Sequence, residues 1–186
     1  MNLAVTRASV EERPIVDRLL QLCLHDYTSH NHIQIGDDGL FEYRWRDLYW
    51  SSPRRHPYLL RFEGKLAGFV FVRSREEDEV GEWDWQISEF FILRALRKRR
   101  IGSMSAQAVL LSRAGLWEVS YDASNVPAQR FWASIAAGRG STARAIPASS
   151  GRECFLLRTT EEEANKSRHP IPDRAVFSDR FYDFNP

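Results

Sequence analysis

Cysteine is nearly absent: the 186 residues hold two, Cys23 and Cys154. Two thiols cannot make the disulfide framework of a small secreted domain, and neither has neighbours at metal-ligand spacing. Buried reduced thiols in a cytoplasmic protein are the expected reading. Long apolar runs are missing too. The longest, Leu66 to Val72, is far too short to cross a bilayer, and the early charges Arg7, Glu11, Glu12 and Arg13 leave no signal-peptide core. No charge of one sign dominates, because 26 Lys plus Arg face 25 Asp plus Glu for a net charge of +1. That balance argues against a general nucleic-acid binder, whose affinity comes from neutralising phosphates. It leaves a local anion site open. What is present, 43% apolar and 27% charged residues without an internal repeat, fits one soluble domain with its own core.

Read along the chain, Leu3–Thr6 is β-prone. Ser9 and Glu12 have capping-box spacing, and a helix from near Pro14 carries Ile15, Leu19, Leu22 and Cys23 on one face. Tyr27 to Gly39 reads as a polar loop, and the aromatic block from Phe41 to Trp50 as a short helix. Tyr58–Phe62, the turn Glu63-Gly64 and Leu66–Val72 make a hairpin. After the acidic Glu76–Glu79 come a strand from Trp83 to Leu93, a basic segment Arg94–Arg100, a helix from Ser103 to Leu116 and a strand Trp117–Tyr121. Asn125 and Pro127 open a second helix ending near Gly138. Residues 139–152 are weakly patterned, Cys154–Leu157 is a final strand, and 161–186 is a polar tail behind a single domain over 1–160. Strands interleaved with helices imply an α/β fold, a mixed sheet covered on both faces. Phe181, Tyr182 and Phe184 in the tail suit docking on the domain or on a second subunit, as in a homodimer.

The stretch Glu89 to Ser103 carries the chemistry. A buried-type strand runs into a basic loop and then a helix start, where unpaired backbone N–H groups and the helix dipole favour phosphate or pyrophosphate. Arg97, Lys98, Arg99 and Arg100 add positive charge there. A solvated basic turn is the plainer alternative. His25, His30 and His32 with Asp26 have no tight i, i+4 pair, so no metal site is expected.

These residues resemble a family. The segment looks like motif A of the GNAT superfamily of N-acetyltransferases, whose pyrophosphate loop reads Arg or Gln, two residues, Gly, any residue, Gly or Ala. Arg97 fits the first position and Gly102 the last, while Arg100 stands where the family has its first glycine. Asn125, Ala128, Phe131 and Trp132 resemble the family's later helix, with Trp132 in place of the tyrosine that often reprotonates the thiolate. The element order β-α-α-β-β-β-α-β-α-β(-β) follows the family to about Leu157, and the run Leu22 to Tyr27, the aromatic block and Glu89-Phe90-Phe91 are similar to a bacterial subgroup of predicted acetyltransferases.

The resemblance implies acetyl-CoA as donor and direct attack by the primary amine of a small molecule or protein. It puts pyrophosphate anchoring on the backbone of Arg97, Lys98, Arg99, Arg100, Ile101, Gly102 and Ser103. It assigns polarisation of the thioester to N–H groups around Ile92 and Leu93, and cofactor contacts to Phe91, Asn125 and Phe131. Glu89, on the strand face of Phe91 and Leu93, is the first candidate for general base, against a purely structural role. Asp84 and Tyr121 are further candidates for proton transfer, and Gln86 cannot serve. Two alternatives stand beside the enzyme: an acyl-CoA-binding sensor without catalysis, and a nucleotide- or RNA-binding domain using Arg94–Arg100. No aromatic lies between Arg94 and Ser103 to stack on bases.

Overall fold

Glu63 and Gly64 both adopt positive φ, 48° and 75°. A two-residue loop with that backbone has the twist that closes a hairpin tightly, and it joins β2 (Arg55–Phe62) to β3 (Lys65–Ser74). The computed structural model describes residues 2–139, 143–147, 152–166 and 175–177. Around the hairpin lie β1 (Leu3–Arg7), α1 (Arg13–Tyr27), the one-turn α2 (Leu48–Ser51) and β4 (Trp85–Ile92). Then follow α3 (Ile101–Leu110), β5 (Gly115–Asp122), α4 (Val126–Gly138), β6 (Ala143–Pro147), β7 (Arg152–Thr159), α5 (Glu161–Lys166) and β8 (Ala175–Phe177). The strands form one sheet in the order β6-β7-β5-β4-β3-β2-β1-β8, in which only β4 and β5 run parallel.

The sheet is covered on both faces, as the interleaved pattern predicts. Alternation along each strand sends Tyr58, Leu60, Val70, Val72 and Trp117 to one face, where α3 and α4 pack. It sends Leu59, Phe69, Phe71 and Phe91 to the other, against α1 and Tyr49 of α2.

Several boundaries differ from the sequence reading. The aromatic block is helical only over Leu48–Ser51; Phe41 and Tyr43 pack on the core from irregular backbone instead. The helix expected to run to Leu116 ends at Leu110, because Gly115 adopts φ 130° and starts β5. A Cβ there would stand 2.9 Å from the Asp84 carboxylate, which accepts the Leu116 N–H at 2.8 Å. Asp84 therefore pins the first residues of β5. The weakly patterned stretch contains β6 on the outer edge of β7, and three tail residues pair with Leu3–Val5 as β8. Phe181, Tyr182 and Phe184 lie outside the described residues.

Candidate active site

β4 is paired unequally on its two edges. Against β3 the register runs from Ser74↔Trp85 to Gly68↔Ile92. Against β5 it stops after Trp85↔Trp117, Gln86↔Glu118 and Ile87↔Val119, while β5 stays paired with β7 as far as Asp122↔Arg152. A bulge explains the divergence. Phe71 faces Glu89 and Val72 faces Ile87, so Ser88 is the extra residue that bends the strand. Beyond it the β5 edge of β4 is open. The Leu93 N–H turns toward β3, donating to Ala67 O at 2.9 Å. By alternation the N–H groups of Phe90 and Ile92 face the gap. The Ile92 carbonyl, on that same side, accepts from Arg97 Nε at 2.8 Å.

The basic loop closes one end of the gap. Lys98 and Arg100 adopt positive φ, 58° and 62°, and Arg100 caps α3 in the left-handed region. Its carbonyl accepts the Met104 N–H at 3.0 Å and the Ser103 hydroxyl at 2.9 Å. The N–H groups of Ile101, Gly102 and Ser103 belong to the first turn and have no partner within the helix. Asp26, in the last turn of α1, takes Arg94 Nε at 2.9 Å and also holds Arg97. These bonds hold its carboxyl below the usual carboxylate range despite partial burial, and they engage two of the loop's five cations. Arg99 lies 5.8 Å from the Phe62 ring, and Lys98 and Arg100 make no ion pair among the described residues. The positive charge left to meet an anion is therefore that of Lys98 to Arg100.

Three residues picked from the sequence meet in the wall of the gap. A Cβ on Gly102 would sit 3.4 Å from the Phe131 ring and 3.8 Å from Ile92. Phe131 stacks on Phe90 with centroids 5.5 Å apart. Asn125 accepts the Ala128 N–H at 3.0 Å through Oδ1, so that oxygen caps α4 and only its amide nitrogen is left for other contacts. Trp132 is buried edge-on against Phe90 and is a core residue.

The three residues considered for proton transfer are not brought together. Tyr121 lies in the cluster on the α3/α4 face. Its hydroxyl donates to Glu153 at 3.0 Å, and desolvation together with that carboxylate pushes its pKa up to about 12. Glu89 follows Phe91 onto the α1/α2 face, among Cys23, Tyr27, Tyr43 and Tyr49. Desolvation pushes its pKa up to about 7, against the opposing pull of the Tyr43 phenol and the Arg152 charge. Asp84 stands at the far end of β4. Gln86 bridges Arg73 Nε, at 2.7 Å, to Glu118.

The sequence reading put Tyr43 and Tyr49 in one short helix and missed that they flank Glu89. It also missed that Asp26 holds the loop arginines. Tyr43 further forms part of a groove of about 690 Å³ along residues 34–47, with Ile35, Phe41 and Asp47. Just after α1, His30 O accepts from Ser124 Oγ, beyond the end of β5, at 3.4 Å. Among the described residues no three or more His, Cys, Asp or Glu side chains group to hold a metal ion, and no helix is long and apolar enough to cross a membrane.

Residues 17–136, more than half of the chain, match the model of the Acetyltransferase (GNAT) family. The chain belongs to that family. No curated protein matches this GNAT member significantly. Its fold is shared with an acetyltransferase from Thermus thermophilus, at 16% identity and a TM-score of 0.61, covering 85% of this chain and 97% of the other. The PaiA N-acetyltransferase from Thermoplasma acidophilum in complex with coenzyme A gives 7% identity and 0.57, covering 86% and 100%. The ribosomal-protein-S18-alanine N-acetyltransferase from Escherichia coli gives 15% and 0.51, covering 86% and 95%. In this GNAT chain the left-handed turn before α3 is made by an arginine, Arg100, without a glycine's freedom.

Proposed function

We propose that this GNAT protein transfers the acetyl group of acetyl-CoA to a primary amine by direct attack, with Glu89 as general base. The observation that carries the reading is the gap between β4 and β5, bounded by unpaired N–H groups, a cationic helix start and a carboxyl with a pKa near neutrality. The residues fit acetyl-CoA: Lys98 to Ser103 offer backbone donors and uncompensated cations to a pyrophosphate, and the Phe90 and Ile92 N–H groups offer an open strand edge to the rest of the molecule. Bound there, acetyl-CoA supplies a thioester carbon for the amine to attack. The Ile92 N–H polarises its carbonyl. Glu89 takes the proton that the amine loses as the N–C bond forms and the C–S bond breaks, directly or through one water. The departing thiolate takes its proton from solvent, because Tyr121 is held by Glu153 and is too weak an acid. The acceptor enters over Tyr43 from the groove along 34–47. Cys23 and Cys154 are buried thiols, which supports a reducing, cytoplasmic setting.

A second reading, an acyl-CoA-binding protein without turnover, is favoured by Arg100 at the glycine position. Thermal shift with acetyl-CoA, CoA and RNA, followed by turnover across an amine panel, separates the readings. The enzyme shows CoA-specific stabilisation and acetylates an amine; the binding protein shows only the first; stabilisation by RNA alone overturns both.

A further inference from the structure

Two arginines face each other on the acceptor side of the sheet, Arg55 on β2 and Arg73 on β3, directly paired in register. Like charges in that position repel unless each is compensated. Arg73 is compensated: it donates to Gln86 at 2.7 Å and to both Glu79 oxygens at 2.6 and 2.7 Å. Arg55 is the more deeply buried, its side chain 7% exposed against 15%. Yet its one ion pair among the described residues is with Glu76 at 3.8 Å, beyond hydrogen-bond length, and Glu76 itself is half exposed. The guanidinium lies instead 5.4 Å from each of the Tyr49 and Trp45 rings. The Tyr49 hydroxyl beside it is buried, with Arg55 itself and Ser88 as its nearest polar neighbours in loose geometry. A desolvated cation whose partners are a distant carboxylate, two rings and a neutral hydroxyl is costly in a protein that gains nothing from it.

Both groups lie on the face of Glu89. Tyr49 stacks on Phe71 at 3.8 Å, and Phe71 is the cross-strand partner of Glu89. Strand spacings put the Arg55 and Glu89 backbones about 12 Å apart, two strands across and two residues along. Tyr43 and Tyr49 fill the space between, each close enough to feel both charges.

We infer that Arg55, with the Tyr49 hydroxyl, binds an anionic group of the acceptor, so that the substrate is an amine carrying a carboxylate or phosphate several bonds from the reacting nitrogen. The inference rests on the acetyltransferase reading for the position of the amine, at Glu89. Arg55 supplies the fork that such an oxyanion pairs with, and Tyr49 supplies a further donor. The separation excludes an α-amino carboxylate, whose charges are adjacent, and selects a longer chain.

The test uses ω-amino carboxylates of three to eight carbons, aminoalkyl phosphates of matched length, and n-alkylamines. Each is measured by turnover with acetyl-CoA and by thermal stabilisation in the presence of CoA. Wild type is expected to prefer an anion-bearing amine of one length over its alkylamine by about 10- to 100-fold in kcat/KM, the worth of a charged hydrogen bond. Whether carboxylate or phosphate gives the larger effect identifies the anion. Arg55→Gln should abolish the preference while still acetylating the alkylamine, and Arg55→Lys should restore part of it. Glu76→Gln, which removes the competing carboxylate from a half-exposed position, should increase the preference, and it stands as a test even if Arg55→Gln does not fold. Equal use and equal binding of charged and uncharged amines by wild type overturns the inference and leaves the acetyltransferase reading intact. Anion-dependent stabilisation without acetylation of any amine upholds the anion site and removes the catalytic reading instead.

Discussion

The two edges of β4 are built from one run of residues and behave in opposite ways. Toward β3 the strand is paired through to Ile92, and the backbones press so close that a Cβ on Gly68 would stand 1.9 Å from Phe91 O. Toward β5 pairing ends at Ile87. One edge holds the sheet together; the other leaves donors unsatisfied where a helix start and a half-buried carboxyl converge. Backbone groups away from water are almost always paired, so an abandoned edge beside a cationic loop calls for a partner from outside the chain. We propose that this partner is the acetyl donor.

The comparison is broken most severely at the carboxyl facing the open half. Glu89→Gln should lower kcat by about 10²- to 10⁴-fold, the usual worth of a general base, while acetyl-CoA still stabilises the protein in a thermal shift. In wild type, kcat/KM should rise with pH through about 7 as the Glu89 carboxyl ionises, and the variant should lack that rise. Stability runs the other way. A carboxyl whose pKa is raised on folding contributes stability fully below its ordinary value of 4.5 and loses it as pH climbs through about 7. Wild type should therefore lose more melting temperature than Glu89→Gln between pH 5 and pH 8.5.

The closed edge is broken by Gly68→Ala. Its methyl meets a backbone carbonyl that cannot move aside, and denaturant unfolding should show a loss of about 3 kcal/mol or more. The smallest effect sharpens the comparison. Arg100→Gly relieves a left-handed backbone worth about 1–2 kcal/mol in an L-residue, less the entropy a glycine adds to the unfolded chain. A net gain of about 0.5–1 kcal/mol, with acetyl-CoA binding at least as tight, is expected; weaker binding would show that the Arg100 side chain itself holds phosphate.

Much of this was legible in the sequence, for local reasons. The hairpin followed from Glu63-Gly64 between two apolar runs, α4 from Asn125 and Pro127, and the loop before α3 from the basic run Arg97 to Arg100 ahead of a helix-favouring stretch. The bulge was not legible. Read straight through, Trp83–Leu93 is one regular strand, and nothing in its composition marks Ser88 as the residue that sends Ile87 to one face and Glu89 to the other. Asp26 looked like a neighbour of histidines because its arginine partners are 68 and 71 residues away. β6 and β8 have too little apolar alternation to register, and each pairs along the edge of a more strongly patterned strand. Arg55 carried no motif, and only its poor pairing beside a well-paired Arg73 sets it apart.

Hydrogen exchange at four successive amides tests the central claim most directly. In the free protein Phe91 and Leu93 should exchange slowly, and Phe90 and Ile92 fast. Saturating acetyl-CoA should slow Phe90 and Ile92 and leave the other two unchanged. Equal protection of all four without ligand, or no change at Phe90 and Ile92 on adding it, would contradict the account.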